Sequence, residues 1–82
     1  MYMAFVLLKV EGRKFIEVAE QLSQLPEILA LYAITGDYDM MVVLSTDEYE
    51  KIGHTIIEKI LTVPGVIESK TYMTFREFLR RW

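Results

Sequence analysis

The chain carries one histidine and no cysteine, so its candidates for chemistry are few. Disulfides and thiolate metal sites are excluded by composition, and one imidazole cannot build a histidine-rich metal site. No cofactor is expected. His54 would need an orienting partner and a nucleophile to act as a base, and its neighbours Gly53 and Thr55 supply no such pair. It reads as a surface or interface histidine. The tightest polar run in an apolar stretch is Gly36-Asp37-Tyr38-Asp39, and Gly-Asp is first of all turn chemistry. Met3, Met40, Met41 and Met73 bring flexible thioethers, which read as filling for a core and an interface rather than as an adaptable binding surface.

Charge narrows the partners. The net charge is −3, and the one basic cluster is Arg76, Arg80 and Arg81. Nucleic-acid binding is largely electrostatic and shows as a basic patch, so direct contact with nucleic acid is not expected. The apolar start, Met1 to Leu8, gives way to Lys9, Glu11, Arg13 and Lys14. It is too short for a membrane span, which needs about 20 apolar residues, and it lacks the basic lead and cleavage site of a signal peptide. A cytoplasmic protein with no membrane contact is expected.

With 82 residues the chain reads as one domain, residues 1–82, with a C-terminal tail at about 75–82. So short a domain buries about 60–65% of the surface its unfolded chain exposes. Small proteins add disulfides, metals or association. Only association is left here, and a hydrophobic content of 52% agrees.

The elements follow from periodicity. Met3 to Val10 is rich in apolar and β-branched residues and reads as a strand. Phe15, Val18, Ala19 and Leu22 share one helical face, and Pro26 stops that helix. Ile28 to Thr35 and Asp39 to Ser45 read as strands joined by a two-residue type II′ turn at Gly36-Asp37. This sets Thr35 against Tyr38, Ala33 against Met40 and Leu31 against Val42. A second helix is expected to open at Ser45-Thr46-Asp47-Glu48, where Ser45 and Glu48 have capping-box spacing. Pro64-Gly65 then turns the chain into a last strand, Val66 to Thr74.

The order β-α-β-β-α-β predicts an α+β, ferredoxin-like fold, a four-stranded antiparallel sheet with two helices on one face. The uncovered face should be polar if it meets water. Yet Met3, Phe5 and Leu7 alternate with Ala4, Val6 and Leu8, so both faces are apolar. Such a patch exceeds what soluble monomers tolerate, and a sheet-to-sheet homodimer is expected.

Over nearly its whole length the chain resembles the regulatory, or RAM, domain of the Lrp/AsnC transcription regulators. The resemblance rests on Ile34-Thr35-Gly36-Asp37-Tyr38-Asp39, then Met41, Val43 and Asp47, and downstream on Val63-Pro64-Gly65-Val66 and Thr71. It implies an oligomer of dimers that binds an amino-acid effector between subunits. Gly36, Asp37, Tyr38 and Asp39 would line the site from one subunit, and Thr71 and Met73 from a neighbour. The chemistry is compatible: loop N–H groups at Gly36 can approach a carboxylate, Asp37 or Asp39 can hold an ammonium, and Thr71 supplies a hydroxyl. The helix-turn-helix of full-length members is not in this sequence. The expectation is therefore a stand-alone, non-enzymatic module of transcriptional or metabolic regulation that can join full-length Lrp/AsnC regulators. Two alternatives share the topology. A small dimeric monooxygenase or isomerase would show an internal polar cleft reaching His54 or a buried tyrosine, and an ACT-like amino-acid-binding module would ordinarily be fused to an enzyme.

Overall fold

The computed structural model describes residues 1–81; Trp82, the last residue of the expected tail, lies outside them. The elements run β1 (Tyr2–Val10), a short 3-10 turn (Gly12–Lys14), α1 (Phe15–Leu22), β2 (Ile28–Ala33), β3 (Met40–Thr46), α2 (Tyr49–Thr55) and β4 (Val66–Met73). The strands form one antiparallel sheet in the order β2-β3-β1-β4. This is the expected ferredoxin-like arrangement, with β2 and β4 as the edges.

Alternation along β1 places Ala4, Val6 and Leu8 opposite Leu44, Val42 and Met40 of β3. These residues face the helices, where Val18, Leu22, Ile52 and Ile60 close over them, and all are essentially solvent-free. On the other face Met3, Phe5 and Leu7 stand opposite Ser45, Val43 and Met41. Phe5, Leu7 and Met41 are half-buried, and Tyr32 and Tyr72, their cross-strand neighbours, stand exposed. The outer face is thus apolar.

After β4 the chain folds back across one corner of this outer face. The Thr74 N–H and hydroxyl both donate to the Met3 carbonyl, at 3.1 and 3.0 Å. Arg80 pairs with Glu77 and reaches the Met3 sulfur. Phe75, Phe78 and Leu79 of this tail remain exposed.

Three local expectations need adjustment. The register of β2 on β3 is as expected, Ala33 on Met40 and Leu31 on Val42, but β2 stops two residues early and β3 starts one residue late. The connection is a four-residue loop, closed by the Ile34 N–H on the Asp39 carbonyl at 3.0 Å. Gly36 sits in it at φ +124°, so a glycine is required, though not in a two-residue turn. The loop is wide because its end is drawn toward β1. The Asp39 N–H donates to the Leu8 carbonyl, and its carboxylate accepts the Val10 N–H at 2.9 Å. Tyr38, in place of a pairing with Thr35, donates its hydroxyl to Glu68 on β4.

The second adjustment is at α2. β3 runs through Ser45 and Thr46, and Glu48 occupies the cap position without a side-chain bond to the helix. The capping box fails because its acids are otherwise engaged: Lys51 pairs with Asp47 at 3.0 Å and Glu48 at 3.1 Å. Third, α2 does not end in an ordinary turn. It continues through a π turn over Ile56–Ile60, in which the Leu61 N–H reaches back to the Ile56 carbonyl at 2.8 Å.

The Pro64-Gly65 turn behaves as expected. Gly65 has φ +108°, and a Cβ there would meet Lys14 Cβ and Val18 Cγ2 at 2.9 Å. The glycine lets the start of β4 slide beneath α1, and the Gly65 carbonyl accepts the Glu11 N–H at 2.8 Å.

Candidate functional site

The six residues singled out from the sequence fall into two groups that do not meet within one chain. The first is the hairpin loop. Asp39 and Tyr38 are tied down there. With the β3 ladder ending at Met40, the Val10 N–H has no strand partner, and the Asp39 carboxylate accepts it instead. A backbone donor left unpaired at that depth costs about 1–3 kcal/mol, so Asp39 has a structural duty. Tyr38 lies across to β4, its hydroxyl on Glu68 at 3.2 Å and the Lys9 ammonium 5.8 Å from its ring centre. Desolvation, then the Glu68 carboxylate, raises the Tyr38 phenol above its usual value. Gly36 and Asp37 are different. Both are exposed, and the Asp37 carboxylate accepts no hydrogen bond among the described residues. They are the free end of the loop.

The second group lies on the helix-covered side of the sheet at its β4 edge. Thr71 pairs with Val6 and Met73 with Ala4, so both side chains point toward α2. They border a groove of about 250 Å³ whose other walls are Tyr49, Glu50, Ile52, Gly53 and Ile56. Sequence reading missed the α2 wall. A trace of it was there, since Gly53 interrupts an otherwise regular helical face.

A larger cleft, about 430 Å³, lies at the opposite edge of the molecule between the β2 entry, the β3 exit and α2. Glu27 and Lys59 pair across it at 2.5 Å. The Lys59 ammonium, against the opposing effect of burial, holds the Glu27 carboxyl below its usual value. Its second oxygen, Oε1, is shut off from solvent and accepts no hydrogen bond among the described residues. His54 stands exposed on the rim, bonded to no hydroxyl or carboxylate among the described residues. The expected hallmark of an enzyme, a polar cleft reaching a coupled histidine or a buried tyrosine, does not form around it; Tyr2, Tyr32, Tyr49 and Tyr72 are all exposed.

Among the described residues no group of acidic, histidine or cysteine side chains is placed to hold a metal ion, and no helix is long and apolar enough to cross a membrane.

Comparison with known proteins bears on all of this. The chain is 38% identical over 74 residues to the HTH-type transcriptional regulator FL11 of Pyrococcus horikoshii, a match covering 90% of this chain and 48% of the regulator. It thus spans about half the length of the curated relatives it matches. Among solved structures it superposes on TTHA0845 of Thermus thermophilus with a TM-score of 0.91 and 29% identity, covering 98% of this chain and 100% of that one. The fold also matches the transcriptional regulator NMB0573 of Neisseria meningitidis, solved as an L-Met complex, with a TM-score of 0.89 and 18% identity, over 96% of this chain and 53% of that one. Since the family model described as "Lrp/AsnC ligand binding domain" matches residues 3–81, nearly end to end, the chain belongs to the Lrp/AsnC ligand-binding domain family, a family of regulatory ligand-binding modules.

Proposed function

We propose that this chain is a non-enzymatic sensor that pairs with a second copy through its outer sheet face, assembles further into an oligomer of dimers, and binds a free amino acid between copies. The observation that carries this reading is that each half of the site is incomplete alone. The loop offers Gly36 and Asp37, exposed and uncommitted, but no enclosure. The groove at Thr71 and Met73 offers enclosure and apolar walls, but no basic side chain among its lining residues. A zwitterion needs donors for its carboxylate, an acceptor for its ammonium and a place for its side chain. Loop N–H groups from one copy and the groove of another supply the set. The L-Met carried by the Neisseria regulator makes an amino acid the natural ligand class to test.

Pairing through the outer face is supported by Phe5, Leu7 and Met41, which a monomer leaves half open beside Tyr32 and Tyr72. The regulatory output passes through assembly, since a ligand shifts only an equilibrium in which it favours one state. Full-length Lrp/AsnC regulators are the partners this scheme suggests, with no direct contact to nucleic acid, no membrane role and a cytoplasmic setting.

Thermal unfolding with each common amino acid tests the reading. A ligand at 100 times its Kd stabilises the fold by about 2.7 kcal/mol, which raises the midpoint by several degrees. Asp37→Ala should lose that rise while sedimentation shows the same assembly. A full response from Asp37→Ala would remove the loop from the site, and no response to any amino acid would remove the ligand class.

A further inference from the structure

Gly53 sits in the middle of α2 with no local reason to be glycine. Its φ is not positive, and a Cβ built on it meets nothing within 4 Å. Glycine is the poorest helix former after proline, so the helix bears a cost here that neither backbone nor packing requires. What the missing side chain does is leave open the groove between α2 and β4.

The walls of that groove define what fits. Ile52, Ile56 and Met73 make an apolar lining, Thr71 adds a hydroxyl, and Glu50 adds a carboxylate that pairs with no cation among the described residues. No basic side chain lines it. The groove is therefore complementary to a group that is positive at one end and apolar along its body. We infer that Gly53 is the specificity-determining position of the ligand site, and that the ligand is an amino acid with a medium-sized apolar side chain, such as leucine or methionine. That side chain occupies the space over Gly53, and the ammonium faces Glu50. This rests on reading the Thr71–Met73 groove as part of the effector site.

Charge also sets what is refused. An acidic amino acid would bring a second carboxylate toward Glu50 with no cation to receive it, and burying an unpaired charge is costly. A bulky residue at position 53 would fill the groove from the helix side without straining the helix.

Calorimetric titration of the full chain with L-leucine, L-methionine, L-glutamate and L-lysine tests this, on wild type, Gly53→Ala, Gly53→Leu and Asp37→Ala. Leucine and methionine should bind, and glutamate and lysine should bind at least tenfold more weakly. Gly53→Leu should weaken leucine binding at least tenfold. Gly53→Ala should weaken it less, while both variants unfold at or above the wild-type midpoint with unchanged sedimentation. That combination of a firmer fold and poorer binding is not what a merely structural glycine would give. Leucine binding retained in Gly53→Leu but lost in Asp37→Ala would overturn this inference and leave the loop in the site. Tighter binding of glutamate or lysine than leucine would overturn the ligand class. A changed assembly in Gly53→Leu without ligand would mean that a second copy occupies the groove, and would overturn the inference as well. If no amino acid binds wild type, the broader reading falls and this one with it.

Discussion

Adjacent residues of β1 live on faces with different fates. Leu8 points toward the helices and is wholly buried, while Leu7, one residue back, points to the outer face and stays half open. Both are leucines in the central part of one strand, so neither type nor propensity separates them. What separates them is which face this chain covers by itself. The helix face is closed by α1 and α2, and the outer face only at the corner where Thr74 and Arg80 fold over Met3. A face that a chain leaves unfinished is where a second molecule does the remaining work.

The pair Leu8→Ala and Leu7→Ala is the sharpest way to probe that difference. Leu8→Ala should cost about 2–5 kcal/mol in chemical denaturation at any protein concentration, the usual result of emptying a packed site. Leu7→Ala should instead show its cost mainly as weaker self-association and a midpoint that falls on dilution. Equal, concentration-independent losses would mean that the outer face is not an interface.

Gly65→Ala comes next. Its positive φ and the 2.9 Å approach to Lys14 and Val18 predict a loss of about 1–3 kcal/mol, read from denaturant midpoints. Gly53→Ala should move the other way, gaining about 1 kcal/mol from helix propensity. The opposite signs at two glycines would show that one serves the fold and the other does not.

The smallest effect concerns acid. Glu27, held by Lys59 across the large cleft, has a folded-state carboxyl below its ordinary value of 4.5. A group whose folded value is depressed stabilises the protein above its unfolded value and loses that contribution as pH falls through the folded one. With the Lys59 side chain 39% exposed, the pair is worth only about 0.5 kcal/mol. Glu27→Gln should therefore be slightly less stable than wild type near neutrality, and the gap should close well below pH 4.5. A gap that persists in acid would show that the carboxyl is not the source.

The elements, the strand register and the apolar character of both sheet faces were legible in the sequence, because alternation and helical spacing are local. The turn chemistry was less so. Gly36-Asp37 looks like a two-residue turn until Asp39 is seen to serve Val10, a residue 29 positions earlier. Ser45 and Glu48 have cap spacing, yet Lys51 claims the acids. The candidate site was half legible. Its loop and strand residues stood out through the family resemblance, whereas the α2 wall around Gly53 exists only once β4 lies beside that helix. Competition for a side chain, and walls built from distant segments, are what a linear reading cannot weigh.

The π turn has a consequence for how α2 tolerates change. Ile52, Ile56 and Ile60 are all buried at intervals of four, and in a uniform helix of 3.6 residues per turn each such step overshoots by about 40°. By Ile60 the stripe would have rotated off the sheet. The wide turn absorbs the phase error, so the helix behaves as if one residue had been spliced in and accommodated. A one-residue deletion between 56 and 60 should then restore an ordinary helix while swinging everything after it, Val63 included, out of register with the core.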